Sequence, residues 1–260
     1  MQRNAKRLWL AGLLLLLVAA VPAFYWYSSD RTAGTRPSAL VLMSSIDLQW
    51  GEADLGALAR GEGNPDPLFS RLADAHTIIA VDNVAQLQAS RARVAMLVQP
   101  RAFTPEELVR LDKWVRAGGR LLFFADPARP LFTSMHSPLF AHWGLELVLP
   151  MEPGAVSAET KVRMGRYAVR TLSAGQWQSL KNADGQCRIA DQALLAECRP
   201  GKGQVLLVAD ADLLHASLWH SSIPGTDSSA NIDWVEQLLV RLAAGSRVVG
   251  KDGEILDRPG

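Results

Sequence analysis

A chain of 260 residues, 48% of them hydrophobic, is long and apolar enough to bury a full core. Its 27 basic residues against 26 acidic ones leave a formal charge of +1, which excludes a long-range field suited to nucleic acid. Part of the apolar content is concentrated in one N-terminal segment, so the remainder has an ordinary soluble composition.

Arg3, Lys6 and Arg7 precede an uncharged run over residues 8–29, whose heart at 10–23 includes Leu13-Leu14-Leu15-Leu16-Leu17. A helical span needs about twenty apolar residues, and this run supplies them. Trp9 at one end and Phe24-Tyr25-Trp26-Tyr27 at the other read as interfacial aromatic belts, and the basic residues belong on the cytoplasmic side. The expectation is a single-pass inner-membrane anchor over residues 1–29, with its N-terminus cytoplasmic and the main domain periplasmic or extracellular. A signal peptide cut after Val21-Pro22-Ala23 competes with it. The anchor is favoured because cleavage would leave four exposed aromatic residues at the new N-terminus.

Residues 30–38 read as a polar linker, and Ala39-Leu40-Val41-Leu42-Met43 as the first buried strand. A loop with one helical turn near Asp54 is expected over 47–66, a helix over 67–75, and a strand at Thr77-Ile78-Ile79-Ala80-Val81. The clearest unit follows. Val94-Ala95-Met96-Leu97-Val98 is a strand buried on both faces. Thr104, Pro105 and Glu107 make a helix start with a capping box. Leu108, Leu111, Trp114 and Val115 form an apolar face, Gly118-Gly119 stop the helix, and Leu121-Leu122-Phe123-Phe124 is the next strand. Strand, helix and strand in this space make a βαβ unit with parallel strands.

Beyond it, a helix interrupted by Pro138 is expected over 131–143 and a strand over 144–149. Residues 152–200 show short alternating runs and polar turns, the pattern of a β-rich insertion. The parallel pattern resumes at 204–209, followed by a loop and helix over 210–220 and a Gly/Pro/Ser loop over 223–229. A helix over 231–244 is marked by the stripe Ile232, Val235, Leu238, Leu239 and Leu242 and is ended by Gly245. The α/β domain thus covers 39–245, and the tail, 246–260, reads as exposed from Lys251.

The two cysteines, Cys187 and Cys198, flank ten residues. A hairpin centred between Gln192 and Ala193 sets Cys187 opposite Cys198, Arg188 opposite Glu197 and Ile189 opposite Ala196. Opposed strand positions have the separation a disulfide requires, and an exported domain meets oxidising conditions. A Cys187–Cys198 disulfide is therefore expected.

The apolar strand, Thr-Pro-Glu-Glu-Leu, Trp114-Val115-Arg116-Ala117-Gly118-Gly119-Arg120 and Leu-Leu-Phe-Phe-Ala-Asp-Pro together resemble the class I glutamine amidotransferase-like domains of bacterial membrane-anchored proteins. That family includes domains of unknown function and the accessory component of gliding-motility type ABC transporters. The stretch from Gly201 to Leu214 and the helix at Asn231 resemble its closing strand and helix. The resemblance covers most of 39–244 and implies a flavodoxin-like, three-layer parallel sheet, to which the residues themselves add the β-rich insertion and one preceding transmembrane helix. It also implies association with an ABC transporter or other envelope complex.

True amidotransferases of this fold carry a cysteine nucleophile on a strand-to-helix elbow. Neither Cys187 nor Cys198 follows a buried strand, and no Gly-x-Cys-x-Gly or Gly-x-Ser-x-Gly is present. Gly201-Lys202-Gly203 precedes a strand and reads as a hairpin turn instead of a phosphate loop. No catalytic residue, metal ligand or cofactor is assigned, and His76, His136, His142 and His220 show no ligand spacing. The remaining polar candidates, Asp47, Asp126, Asp210 and Asp212, fall at carboxyl ends of strands, where open α/β sheets bind ligands. Their bland alternative is helix capping and turn formation. Two functions follow as expectations: a membrane-tethered, non-catalytic binding module with an envelope partner, or a metal-dependent hydrolase using Asp126, Asp210 and Asp212.

Overall fold

A computed structural model describes residues 38–45, 66–125, 138–149, 159–172, 174–180, 186–219 and 230–257. The expected N-terminal anchor, the linker up to residue 37, the expected loop up to residue 65 with Asp47, and Asp126, His136, His220 and the loop over 223–229 lie outside them, while Ser38 opens the first strand and Asp66 caps a helix. Among the described residues no helix is long and apolar enough to cross a membrane.

The chain forms β1 (Ser38–Ser44), α1 (Pro67–Ala75), β2 (His76–Ala80), α2 (Val84–Ala89), β3 (Val94–Val98), α3 (Pro105–Arg116) and β4 (Arg120–Phe124). Then come α4 (Pro138–His142), β5 (Leu145–Val148), β6 (Thr160–Met164), β7 (Tyr167–Thr171) and β8 (Gln176–Ser179). The series closes with β9 (Cys187–Ile189), β10 (Leu195–Cys198), β11 (Gln204–Val208) and α5 (Asn231–Ala244). Seven strands make one sheet in the order β2-β1-β3-β4-β11-β10-β9. β1, β3, β4 and β11 run parallel, while β10 and β9 extend the sheet antiparallel. This is a mixed α/β fold with a mostly parallel central sheet. The first five strands in that order follow the 2-1-3-4-5 sequence of flavodoxin-like sheets.

The central unit forms as its residues dictate. Val94 pairs with Arg120 and Val98 with Phe124 in parallel register. Thr104 accepts from the Glu107 N–H while Glu107 accepts from the Thr104 N–H, completing the capping box. Gly119 has a second duty, because a Cβ there would meet the Trp114 ring at 2.5 Å. Gly203 likewise lets β11 approach the end of α3, since its Cβ would lie 2.0 Å from the Val115 carbonyl oxygen. β3, β4 and β11 are buried along almost their whole length, so both faces of the sheet are covered. On one flank Phe140 bridges Phe123 and Trp177 by edge-to-face contacts at 5.2 and 5.1 Å.

Several expectations change. The described part of the expected 131–143 helix is only the short α4, and Pro138 is its first residue, where a missing N–H costs nothing. The stretch 210–220 gives two 3₁₀ turns, Asp212–Leu214 and Ala216–Leu218, in place of a helix. Helix α2 has no counterpart in the sequence reading; Asn83 caps it and only Val84 and Leu87 are buried. In the 159–200 stretch, β6 pairs with β7 and β8 with β5, whereas β9 and β10 join the main sheet.

The disulfide forms between Cys187 and Cys198, with Cα atoms 4.0 Å apart. The hairpin register is the expected one, Cys198 to Cys187, Glu197 to Arg188 and Ala196 to Ile189. The expected charge pairing across it does not hold. Glu197 is 1% exposed and accepts from Arg199 Nε, Gln204 Nε2 and the N–H groups of Val248 and Val249. Its carboxylate thus anchors the segment after α5, where Val248 and Val249 are buried and Val249 bridges to Ile255. The tail from Lys251 is accordingly not uniformly exposed: Ile255 and Leu256 are half-buried, and Gly253 accepts from the Asp191 N–H.

Candidate functional site

In a 2-1-3-4-5 sheet the order reverses between the first and third strands, and the crevice outside their carboxyl ends is where such sheets hold ligands. Here that crevice lies beyond β1 and β3. The ladder runs one residue past the strands, with N–H groups of Ser45, Gln99 and Ala125 donating to Val98, Phe124 and Val208 carbonyls. The edge is therefore rigid up to the point where the chains diverge.

Gln99 occupies the turning point of β3. It is 3% exposed and has φ 42°, a left-handed conformation that a non-glycine residue adopts at a cost of about 1–3 kcal/mol. Pro100, which follows, keeps Gln99 out of the right-handed helical region. Strained backbone clusters at functional sites, and Gln99 lies at a strand end beside the switch point. Sequence reasoning treated Gln99 only as the residue leaving the strand; the available signal was a polar side chain followed by proline straight after a fully buried run.

The loop from Gln99 into α3 is fixed by Arg101. Its guanidinium donates to both Glu107 oxygens, at 2.9 and 2.6 Å, and to the Ala102 carbonyl. The hydrogen bond from Arg101 holds the Glu107 carboxyl below its ordinary range, with burial opposing and the Thr104 N–H assisting. The Glu107 side chain keeps 14% of its exposure and that of Arg101 50%, so the pair is only partly screened by solvent.

Of the four candidate aspartates, Asp47 and Asp126 lie outside the described residues. Asp210 is fully buried at the end of β11. Its Oδ1 accepts from the Asp212 N–H at 2.7 Å and its Oδ2 from the Leu172 N–H at 3.2 Å. The first bond closes an Asx turn; the second ties the end of β7 to the end of β11. Asn231 reinforces the same junction, accepting from the Arg170 N–H and donating to the Arg170 and Leu213 carbonyls. Asp212 is half-buried and its carboxylate makes no hydrogen bond or ion pair among the described residues. His215 sits one turn on, exposed, with Nδ1 2.9 Å from Ser217 Oγ. No group of three or more His, Cys, Asp or Glu among the described residues could hold a metal ion. The structure thus brings Asp210 and Asp212 into one turn, with Asp210 committed to backbone N–H groups and Asp212 available.

No family model matches the sequence, and no curated protein matches it. Among solved structures, a putative ThuA-like protein from Bacteroides uniformis ATCC 8492 is similar at 11% identity and TM-score 0.45, over 85% of this chain and 96% of that one. A cytoplasmic protein from Salmonella typhimurium LT2 is similar at 11% identity and TM-score 0.44, over 79% of this chain and 98% of that one. A GH42 β-galactosidase from G. stearothermophilus, in its E323A catalytic mutant, gives 12% identity and TM-score 0.46 over 80% of this chain. The chain spans 30% of that enzyme's length, and 37% of an exo-β-1,4-mannosidase from Opitutaceae bacterium strain TAV5. At these TM-scores the matches identify neither family nor activity.

Proposed function

We propose that the chain is a membrane-anchored, non-catalytic binding module whose α/β domain faces the periplasm or cell exterior and recognises a protein partner of the envelope, such as an ABC transporter complex. The fold is read as class I glutamine amidotransferase-like, with the amidotransferase nucleophile absent. The observation that carries the non-catalytic reading is the fate of the strand-end acids. Asp210, the best-placed of them, has each carboxylate oxygen committed to a backbone N–H. A catalytic centre needs a nucleophile held by a base and an oxyanion donor, and the described carboxyl edge offers strain at Gln99 without either. The membrane part of the proposal is supported by the apolar run over residues 8–29 and its flanking charges and aromatics.

Among the described residues, Asp212 is the acid left to meet a basic or amide-bearing partner. The test uses the full chain in its native envelope, with a photocrosslinking residue at Asp212 and another at exposed Val109 on α3. A discrete adduct formed from Asp212 and not from Val109 supports recognition at this edge. Divalent-metal-dependent hydrolysis by the purified chain that disappears in Asp212→Asn would establish the hydrolase alternative instead.

A further inference from the structure

The amino edge of the sheet, opposite the candidate site, is built from cations. Arg93 precedes β3, Arg120 opens β4, Lys202 lies in the turn before β11, Arg188 is in β9, Arg199 follows β10 and Arg247 follows α5. The register brings these ends to one side, because β3, β4 and β11 are parallel and in step from Val94, Arg120 and Gln204. The segment carrying Arg247 is tied to this edge: Arg199 Nη2 donates to the Gly245 carbonyl at 3.3 Å and Gln204 Nε2 to the Ser246 carbonyl at 2.7 Å. The Arg247 guanidinium is pushed below its ordinary range first by burial and then by repulsion from Arg199 and Arg188. The acid among them, Glu197, offsets part of this charge, pairing with Arg199 at 2.8 Å and attracting Arg247. It is buried and spends its second oxygen on the Val248 and Val249 N–H groups. Arg199 is held by Glu197, and Arg120 by the Ala243 carbonyl. Arg93, Arg188, Lys202 and Arg247 make no side-chain hydrogen bond or ion pair with described residues.

A second, independent observation says what covers such an edge. β1 is parallel to β3 and begins at Ser38, so the chain preceding residue 38 is joined to the domain on this side. Only residues 30–37 separate Ser38 from the uncharged run that ends at 29. Fully extended, that link reaches roughly 30 Å. A cationic surface on a short tether to a bilayer is attracted by anionic headgroups, and the attraction is strong within about a Debye length, roughly 10 Å.

We infer that the amino edge of the sheet is a docking surface for an anionic lipid headgroup layer, engaged through Arg93, Arg188, Lys202 and Arg247. The inference rests on the membrane-anchored reading for the tether, and on the charge layout alone for the choice of surface. Docking turns the carboxyl edge away from the bilayer, leaving Asp212 open to a partner. Each neutralised cation is expected to weaken the docking roughly five-fold.

The test uses the full chain with vesicles of phosphatidylcholine alone and of phosphatidylcholine with phosphatidylglycerol, reading co-flotation and amide hydrogen exchange. The comparison variant is Arg188→Gln/Lys202→Gln/Arg247→Gln, checked for an unchanged melting temperature. The expected result is flotation with both vesicles. Exchange around Arg188, Lys202 and Arg247 should slow only when phosphatidylglycerol is present, and the slowing should vanish in the variant or in high salt. Flotation with both vesicles but equal exchange in the two overturns the docking and leaves the anchor intact. Flotation only with phosphatidylglycerol, lost in the variant, supports the docking while overturning the anchor. Flotation with neither overturns both. Slowed exchange that persists in the variant overturns the assignment to these residues.

Discussion

The two ends of the central sheet treat their charged residues in opposite ways. At the carboxyl end, Asp210 is turned inward and consumed by the Asp212 and Leu172 N–H groups. At the amino end the buried Glu197 is consumed by Val248, Val249, Arg199 and Gln204, while Arg93, Lys202 and Arg247 are left exposed. The difference teaches that availability is decided by the backbone donors nearby. An acid beside unpaired N–H groups becomes mortar, while an arginine, which can only donate, is spared unless a carbonyl lies within reach.

The strongest way to break that comparison is to remove the amino-end mortar. Glu197→Ala leaves two buried N–H groups and a partly buried arginine without their acceptor, and should cost about 3–5 kcal/mol in chemical denaturation. Loss of under about 1 kcal/mol would mean that the segment after α5 is not anchored there. At the other end, Asp210→Ala should cost about 2–3 kcal/mol for the two N–H groups it strands. Its neighbour Asp212→Ala should change stability by no more than about 0.5 kcal/mol. Equal costs at the two positions would erase the distinction between a structural and an available aspartate.

A smaller effect sharpens the account of the switch-point loop. Glu107→Gln removes the Arg101 pair and weakens the capping box, and should cost about 1 kcal/mol near neutral pH. The sign with pH follows from the lowered carboxyl. The folded-state pKa lies below the ordinary value of 4.5, so the contribution is complete above that value and is lost as pH falls through the folded one. Denaturation curves of the native chain and the variant should converge in acid and separate toward neutrality.

Much of this arrangement was legible where local rules and tertiary context agree. The β3–α3–β4 unit follows from apolar runs, a capping box and two glycines, all short-range signals. The Cys187–Cys198 register followed from opposing residues across a single turn. What stayed illegible depended on distant partners. Helix α2 buries only two residues and has too little periodicity to stand out. β9 and β10 have the alternation of any hairpin, and nothing local says that β10 pairs with β11. Glu197 reads locally as a cross-strand partner of Arg188, because two of the donors that hold it, the Val248 and Val249 N–H groups, lie 51 and 52 residues later. Gln99 was passed over because strain is a property of backbone angles that composition does not display.

With the amino edge docked as proposed, the two ends of α3 lie at different depths from the bilayer. Ala117 and Ala102 are both exposed and flank α3, whose twelve residues separate the two edges by roughly 18 Å. A fluorophore placed at each position in the full chain, in phosphatidylglycerol-containing bilayers carrying a headgroup-linked quencher, measures the orientation directly. The account predicts strong quenching at Ala117 and weak quenching at Ala102. Equal quenching, or the reverse order, would contradict it.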